Sequence, residues 1–223
     1  MKFKLAFVAA TLAASCVANA ATIDWNSWTS NTAGAIASTP VTVTFSGETS
    51  SGFYANYPSW TPGTTWADGS AVANGPAGDN GIIRLVGGGG ANAVVDTITF
   101  SQAVVNPVIA IWSLGQGGST PSFNFNATPT LVAGGKSAEY GGSSIWVGTG
   151  ADANNVYGSE GNGTVQFVGT FTSISWTNPG AEDWYGFNVG IAGVAAAVPE
   201  PASLGLMLAA LTLAGLARRR TQR

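Results

Sequence analysis

The chain has 223 residues, of which only 9% are charged and 45% are hydrophobic, and it contains no histidine. The lack of histidine excludes imidazole metal sites and Ser-His or Cys-His catalysis. Residues 21–197 carry two basic and ten acidic side chains, a net charge of −8, which disfavours binding to the phosphate backbone of nucleic acids. Neutral sugars, cations and other proteins remain as candidate partners.

Residues 1–20 have the three features of a signal peptide. Lys2 and Lys4 form a positive start, residues 5–14 are apolar, and Ala18-Asn19-Ala20 matches the small-residue pattern of a cleavage site. Cleavage is expected after Ala20. The only cysteine, Cys16, would leave with this segment, so the mature domain is expected to have neither disulfides nor thiol chemistry.

Residues 21–197 are predicted to form one all-β domain, because hydrophobic and polar residues alternate in many short runs. The predicted strands are 41–45, 82–86, 94–100, 104–114, 123–125, 145–147, 165–168, 171–176 and 185–191. In two places a strand is expected to return beside its predecessor: 94–100 after the glycine turn at 87–90, and 171–176 after Gly169. The run 104–114 is almost entirely apolar, so it is predicted to contain a central strand that begins at or after Pro107.

About ten short strands joined by Gly, Asn and Pro turns favour a two-sheet antiparallel sandwich or jelly roll. A β-solenoid is the alternative, because glycine is so abundant, with 31 residues. The sequence has no fixed repeat period, which argues against a solenoid.

The segment 53–66 is the best candidate for glycan binding. Tyr54, Tyr57, Trp60 and Trp66 lie there among Ser, Thr, Pro and Gly. Aromatic faces can stack on the C–H faces of sugar rings while neighbouring polar groups bind the hydroxyls. The alternative is that these rings cover the end of the sandwich or anchor a long loop.

A glycine-rich loop contains a candidate calcium site. Its oxygen-bearing residues Asp152, Asn154 and Glu160 are of the type that Ca²⁺ prefers. The spacing does not fit an EF-hand, and Asp and Asn also form ordinary turns. No other cofactor is predicted.

Catalysis by a pair of carboxylates is the enzymatic alternative. Two of Glu139, Glu160, Glu182 and Asp183 could supply the two acids of a glycosidase. No spacing in the sequence pairs them at a defined separation, so the chain is predicted not to be an enzyme.

The C-terminal residues 198–223 are predicted to sort and anchor the protein. Val198-Pro199-Glu200-Pro201 is too proline-rich to be helical, and residues 202–217 contain neither charge nor proline. As a helix this run would be about 24 Å long, a short membrane span. Arg218, Arg219 and Arg220 follow it and are expected to stay in the cytoplasm.

This ending resembles the PEP-CTERM sorting signal of Gram-negative bacteria, which combines a Pro-Glu-Pro motif, a short hydrophobic helix and a basic cluster. The resemblance implies export, transient anchoring in the inner membrane, and processing by an exosortase, a transpeptidase-like membrane protease. It also implies an association with exopolysaccharide and biofilm. Residues 98–191 are similar to the central domain of other PEP-CTERM proteins, and that likeness implies no assigned activity.

Together these features predict a non-catalytic protein of the cell envelope or extracellular matrix that associates with exopolysaccharide. A structural or adhesive surface protein acting through protein contacts is the main alternative. Ice binding is a further one, although the threonine pairs at 42 and 44 and at 97 and 99 are too few to suggest a regular ice-binding face.

Overall fold

The structure, a computed structural model, describes residues 20–48, 52–57, 61–116 and 121–196. The described part of the chain is all-β, with 53% of the described residues in strands and 7% in short helical turns. The strands, in chain order, are β1 Asp24–Trp28, β2 Ala33–Ile36, β3 Thr42–Ser46, β4 Phe53–Tyr54, β5 Ile82–Gly87, β6 Val95–Val105, β7 Val108–Leu114, β8 Ser122–Phe125, β9 Thr130–Lys136, β10 Trp146–Val147, β11 Asn155–Tyr157, β12 Gly161–Gln166, β13 Thr170–Thr177, β14 Ala181–Ile191 and β15 Gly193–Val194. The single-turn 3-10 helices are Gly63–Thr65, Gly78–Asn80, Gly90–Asn92 and Gly150–Asp152.

All of these strands belong to one hydrogen-bonded antiparallel sheet. Its order is β10-β11-β8-β13-β6-β3-β2-β1-β14-β7-β12-β9, with β15 beside β6, β5 beside β14, and β4 beside β5. Strand β1 joins two halves: Asp24 and Trp25 pair with β14, and residues 26–28 pair with β2. The prediction of an antiparallel all-β fold is confirmed. The strands form one connected, nearly barrel-shaped sheet rather than the two separate sheets predicted, because β1 pairs with β14 at its start and with β2 over the rest of its length.

The two ends of the strand order come close to each other. The N–H of Ile145 donates to the carbonyl of Asn162 at 3.2 Å, and the N–H of Asn162 donates to that of Ser143 at 3.1 Å. The segment leading into β10 therefore bonds to β12, the neighbour of β9. Near-closure of this kind covers backbone groups that an open sheet would expose.

The inner faces of the two halves pack against each other and form the main core. Phe187 on β14 lies 5.9 Å from Trp28, 5.3 Å from Phe45 and 5.1 Å from Trp176, measured between ring centroids. Every residue of β7 is buried, which confirms the predicted central strand after Pro107. Such ring pairs add to the burial of apolar area, which is the main driving force for folding.

Both predicted hairpins are wrong. Strand β5 pairs with β14 and β4, whereas β6 pairs with β3, β13 and β15. Likewise β12 pairs with β7 and β9, whereas β13 pairs with β6 and β8. In each case the connecting turn crosses from one half of the sheet to the other. Alternation in the sequence reports which face of a strand is buried, but it does not report the strand's partner.

A second layer covers the outer face of the half that contains β7 and β14. The segment 61–81 lies there, and Trp66 and Val72 join Trp25, Ile82 and Trp112 in a separate buried cluster. The amide of Asn188 donates to the carbonyls of Asn26 at 3.0 Å, Asn80 at 3.2 Å and Gly81 at 2.5 Å. This layer explains why β14 is buried on both faces from Tyr185 onwards.

The predicted signal peptide, the predicted C-terminal helix and Trp60 lie outside the described residues. Within the described part of the chain, no helix is sufficiently long and apolar to span a membrane. The domain boundaries at 20 and 197 stay predictions. Both buried clusters consist of residues between 21 and 194, so we expect residues 21–197 to fold without the two ends.

Candidate functional site

Four aromatic side chains form a continuous patch at the edge of the outer layer. Tyr54 lies on β4, Tyr57 follows it, Trp184 lies near the start of β14, and Tyr140 lies in the turn after β9. The ring centroids are 5.9 Å apart for Tyr54 and Tyr57, 6.0 Å for Tyr57 and Trp184, and 5.6 Å for Trp184 and Tyr140. We call these four residues the aromatic surface.

The aromatic surface is open to solvent at both ends. Tyr54 is 42% exposed and Tyr140 is 49% exposed, while Tyr57 and Trp184 are half-buried between them. Large aromatic side chains usually bury most of their area in a folded domain. Exposed rings at the two ends of a connected row therefore mark a surface on which a flat apolar group can stack.

Arg84 holds two of these rings together. Its guanidinium carbon lies 5.1 Å from the centroid of Tyr54 and 5.5 Å from that of Trp184, within the range of cation–π attraction. Its Nη1 also donates to the hydroxyl of Tyr54 at 2.9 Å. Arg84 is one of only two basic residues in 21–197, so one of the two positive side chains of this segment lies at the aromatic surface.

Polar groups surround the half-buried middle of the row. Burial raises the pKa of Tyr57, and its hydrogen bond with Tyr140 raises it further, so the Tyr57 hydroxyl keeps its proton at neutral pH. Glu139 accepts hydrogen bonds from the hydroxyls of Thr61 and Ser137. These hydroxyl and carboxylate groups are suited to bind the hydroxyls of a sugar.

A cavity of about 330 Å³ lies directly beside Tyr57, and small-molecule sites typically have about 300–1,000 Å³. Its lining includes Asn56, Thr61, Trp66 and Trp112. The indole Nε1 of Trp112 is buried and has no hydrogen-bond partner among the described residues. The aromatic surface thus continues into a concave site with polar and aromatic walls.

The predicted glycan-binding residues divide into two groups in the structure. Tyr54 and Tyr57 belong to the aromatic surface. Trp66 is only 3% exposed, and its ring packs 4.4 Å from that of Trp112, so it supports the cavity wall rather than presenting a face to solvent. This burial matches the anchoring role that was the alternative for this segment.

Tyr140, Trp184 and Arg84 were not predicted, because they are distant in sequence from 53–66. Trp184 did carry a signal: it precedes Tyr185, so alternation along β14 points its ring away from the main core. Tyr140 and Arg84 reach the surface only through strand pairing, which the sequence pattern does not reveal.

The residues of the predicted calcium site bind three different protein groups. Asp152 accepts a hydrogen bond from Asn155 at 3.2 Å, Asn154 accepts one from Thr128 at 2.6 Å, and Glu160 accepts one from Ser113 at 2.5 Å. Among the described residues, no group of three or more Asp, Glu or Cys side chains is arranged to hold a metal ion. Each of the three predicted ligands is thus hydrogen-bonded to a different residue of the protein, and calcium binding stays a prediction.

Two of the carboxylates considered for catalysis, Glu182 and Asp183, lie beside the loop at Gly115, an arrangement that the sequence did not predict. Glu182 accepts hydrogen bonds from the N–H groups of Gly115 and Gln116, and Asp183 accepts one from the Gln116 amide. Burial, with smaller contributions from the charges of Glu160 and Asp183, raises the pKa of Glu182 to about 7. Because both Glu182 and Asp183 bind donors of the loop at 115–116, this arrangement accounts for the position of that loop.

Comparison with known proteins identifies the C-terminal end. The family described as PEP-CTERM protein-sorting motif matches residues 197–220, which lie outside the described residues. No curated protein and no solved structure matches the chain significantly.

The fold and this match define an all-β protein with a C-terminal sorting motif. The motif supports a PEP-CTERM protein, a substrate of exosortase. It implies processing by that enzyme, with export and transit through the membrane toward the cell surface.

Proposed function

We propose that the exported domain is a non-catalytic polysaccharide-binding protein of the cell envelope or extracellular matrix, and that it binds neutral sugar rings on the aromatic surface. The observation that carries the proposal is the connected row of four rings with both ends exposed. The sorting motif supports it, because delivery to the cell surface brings the domain to the exopolysaccharide.

Charge favours neutral sugars over polyanions. Residues 21–197 have a net charge of −8, and Glu139 lies beside the aromatic surface. Arg84 is already bound to Tyr54 and lies over two rings, so it serves to orient them. A neutral pyranose has an apolar C–H face for the rings and hydroxyls for the surrounding polar groups.

The direct test is co-sedimentation of residues 21–197 with the producer's exopolysaccharide, with calcium and with chelator, together with an assay for released sugar. We expect saturable binding, no effect of the chelator and no sugar release. Failure to bind any polysaccharide fraction would refute the proposal, and sugar release would refute its non-catalytic part.

Tyr140→Ala tests the site itself. Because Tyr140 is half-exposed and lies in a turn, this change should leave folding intact and lower the affinity about tenfold, or about 1.4 kcal/mol. Tyr140→Phe keeps the ring and separates stacking from hydrogen bonding. Val168→Ala, at an exposed apolar residue in the turn between β12 and β13, is the control and should bind like the parent.

A structural or adhesive role through protein contacts is the second candidate. The exposed neighbours Val94 and Val95 favour it, because adjacent exposed aliphatic side chains can pack against another copy of the chain. Sedimentation velocity over a range of concentrations tests this role. Concentration-dependent self-association without glycan binding would favour it over the first proposal.

A further inference from the structure

A second aromatic site lies on β10 and β11. Trp146 and Tyr157 are direct cross-strand partners, and their rings stack with centroids 5.9 Å apart and planes only 22° from parallel. Trp146 is 42% exposed. The pair shares no residue with the aromatic surface, and its two rings lie close to parallel.

Polar groups are positioned around this pair. An open groove of about 430 Å³ is lined by Trp146, Tyr157, Asp152 and Thr149, with residues 147 and 148 between them. The Asn155 amide donates to both the Asp152 carboxylate, at 3.2 Å, and the Tyr157 hydroxyl, at 3.1 Å. The Tyr157 proton therefore remains available to a ligand, and the carboxylate keeps further acceptor positions.

The backbone holds the carboxylate close to the rings. A Cβ at Gly148 would lie 2.3 Å from the carbonyl oxygen of Asp152 and 2.8 Å from its Cβ. Only glycine allows this approach of the 3-10 turn Gly150–Asp152 to β10, since the contact is with backbone that cannot move aside. The groove is therefore a defined arrangement of rings and polar groups rather than a chance contact of surface side chains.

We infer that Trp146, Tyr157 and Asp152 form a second binding site for a neutral pyranose, separate from the aromatic surface. The C–H face of the sugar would stack on the rings, and Asp152 would accept a hydrogen bond from a sugar hydroxyl. The negative charge of Asp152 would repel acidic sugars. This inference extends the proposed function to two sites on one domain. Two sites let the domain cross-link polysaccharide chains, or bind one chain with a higher apparent affinity than either site alone.

The test is a ¹⁵N NMR titration of residues 21–197 with cellohexaose, a defined neutral probe, and with oligosaccharides from the producer's exopolysaccharide. The indole N–H signals of Trp146 and Trp184 are assigned with Trp146→Phe and Trp184→Phe. We expect both signals to shift, and the Trp146 signal to shift equally in Tyr140→Ala. If the Trp146 signal stays unchanged while Trp184 shifts, only the second site is refuted. If Trp146 alone shifts, the aromatic surface is refuted.

Two further variants probe the chemistry of the second site. Trp146→Ala should lower the apparent affinity for the polymer about tenfold, whereas Leu131→Ala, at an exposed residue of β9, should not. Hexagalacturonate should not shift the Trp146 signal of the parent and should shift it in Asp152→Asn. A change in sedimentation coefficient in Trp146→Ala, with sugar affinity unchanged, would assign the ring to protein contacts and overturn the inference.

Discussion

Asp96 should make the domain less stable as the pH rises. This carboxyl is 1% exposed on β6 and accepts one hydrogen bond, from the N–H of Glu48 at 2.7 Å. Burial raises its pKa from 3.8 to about 7; the neighbouring Glu48 carboxylate adds to the rise, and the hydrogen bond opposes it. The folded state therefore holds this proton up to about pH 7, whereas the unfolded chain releases it near pH 4.

The sign of the effect follows from proton linkage. Between about pH 4 and pH 7 the folded state binds more protons than the unfolded state, so the free energy of unfolding falls as the pH rises. Below pH 4 Asp96 is protonated in both states and its contribution is constant. A pKa difference of about three corresponds to about 4 kcal/mol, an upper bound on the stability lost by pH 8.

Asp96→Asn removes the charge and keeps an oxygen that can accept the Glu48 N–H. We expect this variant to match the parent at pH 4 and to be about 2–4 kcal/mol more stable at pH 8. Urea unfolding followed by tryptophan fluorescence from pH 4 to pH 8 measures, for the parent and the variant, the slope of the free energy of unfolding against pH. Asp79→Asn, at an exposed carboxylate in the 3-10 turn Gly78–Asn80, is the control and should keep the parent's slope. A parent stability that is flat from pH 5 to pH 8, with no gain in Asp96→Asn, would refute the reasoning.

The remaining predictions concern the loop around Gly115. Glu182→Gln should also reduce the fall in stability with pH, because the pKa of Glu182 is likewise raised to about 7; the same unfolding series checks this, and an unchanged slope would contradict it. Gly115→Ala should destabilise the domain by about 2–4 kcal/mol, because its φ is +90° and a Cβ would lie 2.0 Å from the Gly158 oxygen. Gly150→Ala, with φ +61° and open space around it, is the matched control and should lose about 1 kcal/mol in thermal or urea unfolding.

Much of the local structure follows from the sequence pattern. The apolar run after Pro107 became a strand buried along its whole length, and the alternation at 185–191 became the inner face of β14. Both patterns arise from burial of side chains. They can be recognised in the sequence of a single strand without knowing which strands it pairs with. Tyr54 and Tyr57, which were singled out by the density of aromatic residues in 53–66, lie next to each other in the aromatic surface, and their binding of glycan stays a prediction.

Strand partners and the full membership of the sites could not be predicted in the same way. The hairpins expected at residues 87–90 and at Gly169 are instead connections between the two halves of the sheet. A turn-forming glycine permits a hairpin without requiring one. Trp184 and Tyr140 come together across 44 residues of sequence through the pairing of β14, β7, β12 and β9. Such long-range pairings depend on how the whole inner core packs.

The sequence by itself determined the all-β class, the acidic and histidine-free chemistry of the domain, and the C-terminal sorting motif. Composition and short motifs can be interpreted from the sequence alone, because they do not depend on which residues the fold brings together. Only the tertiary structure decided that Trp66 is buried, that Tyr140, Trp184 and Arg84 extend the aromatic surface, and that Trp146 stacks on Tyr157 beside Asp152. Those relations depend on which strands pair and on how the core packs. Neither can be read from the local sequence pattern.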